Sequence, residues 1–372
     1  MNVVPKSYRF ADVLSIINGR NQKKVEAADG QYPIYGSGGI MGWANDYICP
    51  ENTVVIGRKG SINNPIYVDR KFWNVDTAFG LVSNRNLLLP RYLFYFCVCF
   101  DFEKLNTTVT IPSLTKTNLL QIKISLPPLE EQEKIIHRLD KLCHLIELKK
   151  EQLKRLDILA KSRFIEMFGD PELNTKKFSE EKLENLFRIG SSKRILQSEQ
   201  VLQGVPFLRI SDLMQRIEGK QNTVTLFVSE AMFAQLQKDG LVPKSGDILI
   251  TSRGTLGRCY VIQPDDRFYF QDGMISWLSE RNSAITNTYL VYWFQMPRFR
   301  KQMAKMLAGS TVAYLSIAML KKIQVPLPPL ALQNEFAAFI EQLDKSKFSV
   351  SQQQKMIDSC KRGIILHLTG RL

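Results

Sequence analysis

Apolar positions between residues 129 and 169 recur in steps of three and four, at 129, 135, 136, 139, 142, 145, 146, 153, 156, 159, 164 and 167/168. Residues 330–370 keep the same rhythm at 336, 339, 340, 343, 350, 357, 360, 364, 365 and 368. A period near 3.5 predicts a long helix with one apolar seam. Each stretch opens on a proline pair, Pro127-Pro128 and Pro328-Pro329, where a helix can start without losing an internal hydrogen bond. At 1.5 Å per residue, some 40 residues make a rod of roughly 60 Å. A rod with one apolar stripe needs a partner, and the second copy can supply it; the alternative is that each helix packs on its own globular part. The seam places Leu139, Leu142, Leu153, Leu156, Phe339, Leu343, Ile357 and Ile364 at the expected helix or subunit interface.

The two stretches are copies of one element. Leu126-Pro-Pro-Leu129 followed by Glu131-Gln132 returns as Leu327-Pro-Pro-Leu330 followed by Leu332-Gln333, at a constant offset of 201 residues. The same offset carries Leu114-Thr115 onto Leu315-Ser316, and Leu142 onto Leu343. A self-match at long period sets the frame for the whole chain. It divides the sequence into a globular part at 1–125, a helix at 126–169, a second globular part at 170–325 and a second helix at 326–372. The proline pairs then read as the hinges between globular parts and helices.

The globular parts read as mixed α/β. Phe10 to Ile17 is a short helix or strand. Glu51 to Ile56 is a buried-strand pattern running into the basic turn Gly57-Arg58-Lys59-Gly60-Ser61. Ile66 to Val68 and Phe72 to Val75 read as further strands, and Tyr92 to Leu105 as an apolar helix. Tyr32-Pro-Ile-Tyr35-Gly-Ser-Gly-Gly39 ends in a glycine turn that lets backbone approach a ligand closely. The second part repeats the plan loosely: Val205-Pro206 mirrors Tyr32-Pro33, and Tyr289 to Tyr292 mirrors Tyr92 to Tyr95. Ser245 to Ile250 enters a second basic glycine turn, Arg253-Gly254-Thr255-Leu256-Gly257-Arg258. Offsets drift here between 173 and 197, so the loops differ while the helices do not. Tyr92, Tyr95, Tyr289 and Tyr292 read as core.

Charge changes the picture. The chain carries +14, yet residues 129–169 and 330–370 carry only +1 each, against +5 for residues 1–128 and +6 for residues 170–329. The surplus sits on the globular parts, which favours a polyanion partner met through phosphates. Six scattered cysteines (Cys49, Cys97, Cys99, Cys143, Cys259 and Cys360) form no CxxC pair and read as free thiols. No apolar run is long enough for a membrane span, and the N-terminus lacks a signal-peptide pattern, so the expected location is the cytoplasm.

Catalytic chemistry is hard to place. Asn63-Asn-Pro65-Ile66 lacks the second proline and aromatic of an amino-methyltransferase loop. Gly36 to Gly39 fits neither dinucleotide nor P-loop spacing. Pro264-Asp265-Asp266-Arg267 is a weak nuclease fragment that reads better as a turn. All three histidines (His137, His144 and His367) fall on the helices, so no Ser/His/Asp arrangement can be built.

On the Tyr32–Gly39 run, the Gly246 to Gly257 segment and the doubled Leu-Pro-Pro-Leu helices, the chain resembles specificity subunits of type I restriction–modification systems over essentially its full length. The resemblance implies an α+β fold: two mixed α/β target recognition domains joined by two long antiparallel helices in a coiled coil, with a pseudo-twofold internal repeat. It implies a non-catalytic subunit that reads a split site on double-stranded DNA. It further implies two methyltransferase subunits and restriction/translocase subunits as partners, with S-adenosylmethionine, ATP and magnesium on those partners and no cofactor in this chain. The second helix departs from the pattern, having Leu332 where the first has Glu131, and the divergent globular parts imply unlike half-sites. Cations and hydroxyls on glycine turns can reach phosphates and base edges. The candidate DNA contacts are Tyr35, Ser37, Arg58, Lys59 and Ser61 in the first part, and Lys193, Arg194, Arg209, Ser211, Arg253, Thr255 and Arg258 in the second.

Overall fold

The structure is a computed structural model that describes residues 6–106, 113–170, 173–220, 224–308 and 313–368, with side chains to 365. The last residues of the second copy, with Arg371 and the His367 side chain, lie outside the described residues. The chain divides into two compact units, Met1–Gln152 with Ser349–Leu372, and Leu153–Phe348. The units do not follow the four consecutive segments read from the sequence. Each takes one lobe together with part of both long helices, because the apolar stripe of each helix is covered partly by the lobe and partly by the other helix.

The first lobe begins with β1 (Lys6–Arg9), α1 (Phe10–Val13) and β2 (Leu14–Asn18), followed by β3 (Tyr32–Gly36), β4 (Gly39–Ala44) and β5 (Thr53–Gly57). It continues through β6 (Ile66–Val68), β7 (Trp73–Asn74), β8 (Ala78–Ser83), α2 (Pro90–Cys99), α3 (Lys116–Leu120) and β9 (Lys123–Leu126) to α4 (Leu129–Phe168). One sheet has the order β2-β8-β5-β6, a second β4-β3-β7, and β1 pairs with β9. Strand β5 lies between two neighbours and is buried at all five positions, which is why its sequence reads as an unbroken apolar run. The Phe10–Ile17 stretch resolves into both alternatives, a helical turn and then a strand. The segment read as one helix from Tyr92 ends at Cys99, and a 3-10 turn covers Phe102–Leu105.

The second lobe has the same plan. Its elements are β10 (Ser179–Lys182), α5 (Leu183–Leu186), β11 (Arg188–Gly190), β12 (Gln200–Val201), β13 (Val205–Leu208), α6 (Ile210–Ile217), β14 (Phe227–Val228) and α7 (Glu230–Lys238). Then come β15 (Ile248–Thr251), β16 (Cys259–Val261), β17 (Tyr269–Phe270), β18 (Ile275–Ser279), α8 (Asn287–Trp293), α9 (Pro297–Leu307), α10 (Ile317–Lys321), β19 (Gln324–Leu327) and α11 (Leu330–Leu368). Its sheet order β11-β18-β15-β16 matches β2-β8-β5-β6, and β10 pairs with β19 as β1 does with β9. The Val205/Tyr32 correspondence is also structural: β3 pairs in parallel with β7, and β13 in parallel with β17. The lobes part company after that strand. The first turns back through β4, whereas the second inserts α6 and α7, and later α9.

In the second unit α4 and α11 run antiparallel. Arg163 pairs with Glu335 at 3.0 Å and Asp157 with Lys347 at 2.7 Å, so rising numbers on one helix meet falling numbers on the other. Their contact is an aromatic plug. Phe164, Phe168, Phe336 and Tyr289 have ring centroids 4.7–5.5 Å apart. All four are buried in the core that also takes Leu343, with Leu156 and Phe339 packed against it. In the first unit Leu139 is fully buried among lobe residues, and Ile364 and Ile365 rest on the same core beside Ile135 and Ile136. Leu139 is therefore a helix-to-lobe contact first. Leu142, Leu153 and Ile357 are half-buried. Three positions of the expected seam, Leu145, Leu159 and Cys360, are exposed.

Tyr92, Tyr95 and Tyr289 are buried as expected and Tyr292 is half-buried. Cys49 and Cys97 are buried, and Cys360 is exposed. Among the described residues no helix is long and apolar enough to cross a membrane. Phe164→Ala removes the ring central to the plug and should cost about 3–5 kcal/mol in the second unit. Denaturant unfolding of the whole chain should show an earlier transition, while unchanged unfolding would mean that the plug does not hold the unit together.

Candidate nucleic-acid interface

In each lobe a fully buried strand ends in a turn that glycine makes possible. Strand β5 runs into Arg58-Lys59-Gly60, where Gly60 has φ +78°, and β15 runs into Ser252-Arg253-Gly254, where Gly254 has φ +67°. That left-handed backbone is costly for any other residue type. The backbone shows that the two turns are equivalent. Leu114 N–H donates to the Arg58 carbonyl at 2.9 Å, and Leu315 N–H, 201 residues on, donates to the Ser252 carbonyl at 3.0 Å. Lys59 therefore stands where Arg253 stands, one residue before the glycine, and both side chains are exposed.

In the first lobe two glycine segments meet. Gly36 to Gly39 is the tight turn of the β3–β4 hairpin, with Gly36 and Gly39 paired across it. A Cβ on Gly57 would lie 2.9 Å from the Ser37 Cβ and 2.3 Å from the Ser61 carbonyl oxygen, so only glycine lets these turns touch. Ser37, Arg58, Lys59 and Ser61 are thus brought together. Tyr35 is not displayed with them: its ring packs edge-on against Phe72 at 5.4 Å in a small core with Cys49 and Val55. The Arg58 guanidinium lies over Phe79 at 5.6 Å, an arrangement that steadies it without neutralising it.

In the second lobe β17 and the loop that follows it link the candidates. Ser252 N–H donates to the Met274 carbonyl, the Ser192 hydroxyl to the Phe270 carbonyl, and Lys193 N–H to the Tyr269 hydroxyl. Burial pushes the Tyr269 phenol up from its ordinary value, so it stays an O–H group and donates in turn to the Lys193 carbonyl. Lys193 and Arg194 are exposed and carry no ion pair among the described residues. Arg253 lies over Tyr314 at 5.1 Å. Thr255 and Ser211 are exposed, and the Thr255 carbonyl accepts from the buried Thr251 hydroxyl. The Lys220 ammonium holds the Glu218 carboxyl below the usual carboxylate range, and the Arg258 charge adds a smaller pull in the same direction. Arg209 is committed elsewhere: it precedes α6, bonding Asp212 at 3.3 Å and Thr225 at 3.4 Å.

Three side chains escaped the sequence reading. Arg20 follows β2 as Lys193 follows β11, and its N–H donates to the Asn74 carbonyl beside the same sheet edge. It belonged to a basic run whose place only the strand pairing reveals. Ile40 and Met41 stand exposed on the strand leaving the Ser37 turn, offering the apolar contact that a thymine methyl accepts. Their side chains carry neither the charge nor the hydroxyl by which a DNA contact is legible in sequence. The Asp265-Asp266 fragment is structural: the Asp266 carboxylate accepts from Arg216, from Tyr260 and from Gln263 N–H. Among the described residues no group of three or more His, Cys, Asp or Glu could hold a metal ion.

Two basic turns on two copies of one sheet plan define a paired nucleic-acid-binding protein. The family described as type I restriction modification DNA specificity domain matches residues 5–157 and 175–356, and the chain belongs to that family. It is thus a DNA specificity subunit and not a catalytic one. The MjaVIII type I restriction enzyme specificity subunit of Methanocaldococcus jannaschii is 27% identical over 399 residues, covering 98% of this chain and 92% of that protein. The S subunit of a type I restriction–modification system from M. genitalium has a similar fold, with TM-score 0.59, 17% identity and coverage of 99% and 97% of the two chains. A chain from a structure of type I system assembly and conformational transition gives TM-score 0.58 at 17% identity, with both chains fully covered.

Lys59→Ala and Arg253→Ala should each weaken DNA binding and lower the slope of log K against log salt by about one. Lys134→Ala, on a helix and paired with Glu130 at 2.8 Å, is the control and should leave the slope unchanged. Equal slopes in all three variants would exclude phosphate contact by the two turns.

Proposed function

We propose that the chain reads an asymmetric, two-part site on double-stranded DNA, one part with each lobe, and carries two methyltransferase subunits on its helices. The observation that supports this reading is the pairing of likeness and difference: one sheet order and one glycine-turn geometry in both lobes, but unlike side chains on the turns and unlike insertions after the parallel strand. A duplicated frame with different contact residues suits two unlike half-sites, as dimer geometry suits two like ones. S-adenosylmethionine would be bound by the methyltransferase subunits, and ATP and magnesium by a restriction/translocase subunit, all in the cytoplasm. The candidate contacts in the first lobe are Arg20, Ser37, Arg58, Lys59 and Ser61; in the second they are Lys193, Arg194, Ser211, Arg253, Thr255 and Arg258. Phosphate contacts hold the duplex, and hydroxyls and arginines, which can bond a guanine edge bidentately, supply base readout.

The complex of this chain with its methyltransferase partner should methylate and protect one interrupted sequence in random DNA. Arg253→Ala should lose affinity mainly for duplexes that carry the second lobe's half-site. Equal protection of all sequences would leave a non-sequence-specific adaptor on the same helices as the remaining reading.

A further inference from the structure

The joint between lobe and helix is where a proline pair suggests a hinge, and the structure shows a closed set of hydrogen bonds. Gln132, four residues after Pro128, has no exposed surface. Its side-chain oxygen accepts from Leu89 N–H at 2.9 Å, and its amide nitrogen donates to the carbonyls of Leu87 at 2.8 Å and Pro127 at 2.9 Å. Gln333 repeats the arrangement, also fully buried: its oxygen accepts from Thr286 N–H at 2.8 Å, and its nitrogen donates to Ala284 at 3.0 Å and Pro328 at 2.9 Å. Leu89 and Thr286 are the residues that cap α2 and α8. One side chain therefore ties together three backbone segments: the turn leading into the lobe's helix, the proline joint and the first turn of the long helix.

A second bond of the same pattern reaches the backbone two residues earlier in the chain. The Tyr92 hydroxyl donates to the Ser125 carbonyl at 3.2 Å, and the Tyr289 hydroxyl donates to the Pro326 carbonyl at 2.8 Å. Tyrosine and acceptor both correspond between the halves. Each long helix is thus held to its lobe by two buried side chains reaching the strand-to-proline segment from opposite elements. An amide whose two N–H groups and oxygen are all engaged fixes direction as well as distance, which apolar packing does not.

We infer that Gln132 and Gln333 are positioning residues that lock the angle at which each reading lobe leaves its helix, and so set how strictly the DNA complex discriminates the spacing between half-sites. The inference rests on the two-part reading proposed above. It assigns spacing discrimination to the lobe joints, separately from base identity, which the glycine turns read. Each lock lies inside one compact unit.

The test uses the full chain in complex with its methyltransferase subunits and duplexes holding both half-sites at the natural spacer and at one base pair more or less. Gln132→Met and Gln333→Met keep the volume and remove the three bonds. Each should lower the affinity ratio between the natural and altered spacers by about tenfold while preserving the preference for correct over mutated half-sites. Tyr92→Phe and Tyr289→Phe remove a single hydroxyl and should act in the same direction more weakly; they carry the test if a methionine variant does not fold. A variant with a lower melting temperature but the wild-type spacer ratio would show that the glutamines only stabilise the lobes, and would overturn the inference alone. A wild-type complex indifferent to spacing would overturn the two-part reading and the inference with it.

Discussion

The apolar stripe along a helix of 40 residues must find cover in more than one place, although Leu145 and Leu159 stay exposed. The start of α4 lies on the first lobe at Leu139, Ile135 and Ile136. Its end enters the core of the second unit at Ala160, Phe164 and Phe168. Helix α11 makes the mirrored choice, burying Phe336, Ile340 and Leu343 with the second lobe and resting Ile364 and Ile365 on the first. Each helix therefore begins in one core and finishes in the other. This requirement explains why the compact units cut across the linear order of the chain, and why packing on its own lobe and pairing with the other helix are both true of each helix.

The same requirement separates what can vary from what cannot. Positions that complete the cores are constrained by packing on several sides. The tips of the turns beyond β5 and β15 are open, since nothing lies within 4 Å of a Cβ built at Gly60 or Gly254. Left-handed glycine geometry holds the turn, and the residues flanking it are free to differ, as Lys59 and Arg253 do. Charge follows this division: the long helices are nearly balanced and the lobes carry the surplus. A nearly neutral surface and a basic one are thereby kept on different parts of one chain.

The helices and their repeat were legible because a constant offset and a 3.5 period survive without knowledge of contacts. Buried strands β5 and β15 were legible as apolar runs. The insertion of α6, α7 and α9 was not, since their short amphipathic patterns sit where the two halves lose register. Leu145 and Leu159 fit the seam by spacing yet lie exposed, because a 3.5 period marks a stripe broader than the surface actually covered. Arg20 became a candidate only when strand pairing placed it opposite Asn74. Tyr35 ceased to be one when its ring was found against Phe72. Gln132 and Gln333 lie in the repeated motif but carry no legible role there, because a glutamine early in a helix reads as solvent-facing.

Comparing the two joints shows which kind of interaction a duplicated element keeps. Two rings of the second unit's aromatic plug are replaced in the first: Phe336 corresponds to Ile135 and Phe164 to Ile365, and the isoleucines pack against the first lobe. The polar bonds, by contrast, recur donor for donor, with glutamine to three backbone groups and tyrosine to one in each half. Apolar contacts tolerate such exchange because burial depends on volume and area, which other side chains can supply. A buried N–H or carbonyl has a fixed direction and a large penalty if left unpaired, so the side chain that meets it cannot be exchanged piecemeal. The divergence of the cores and the persistence of the polar locks are two consequences of one duplication acting on interactions with different tolerance for change.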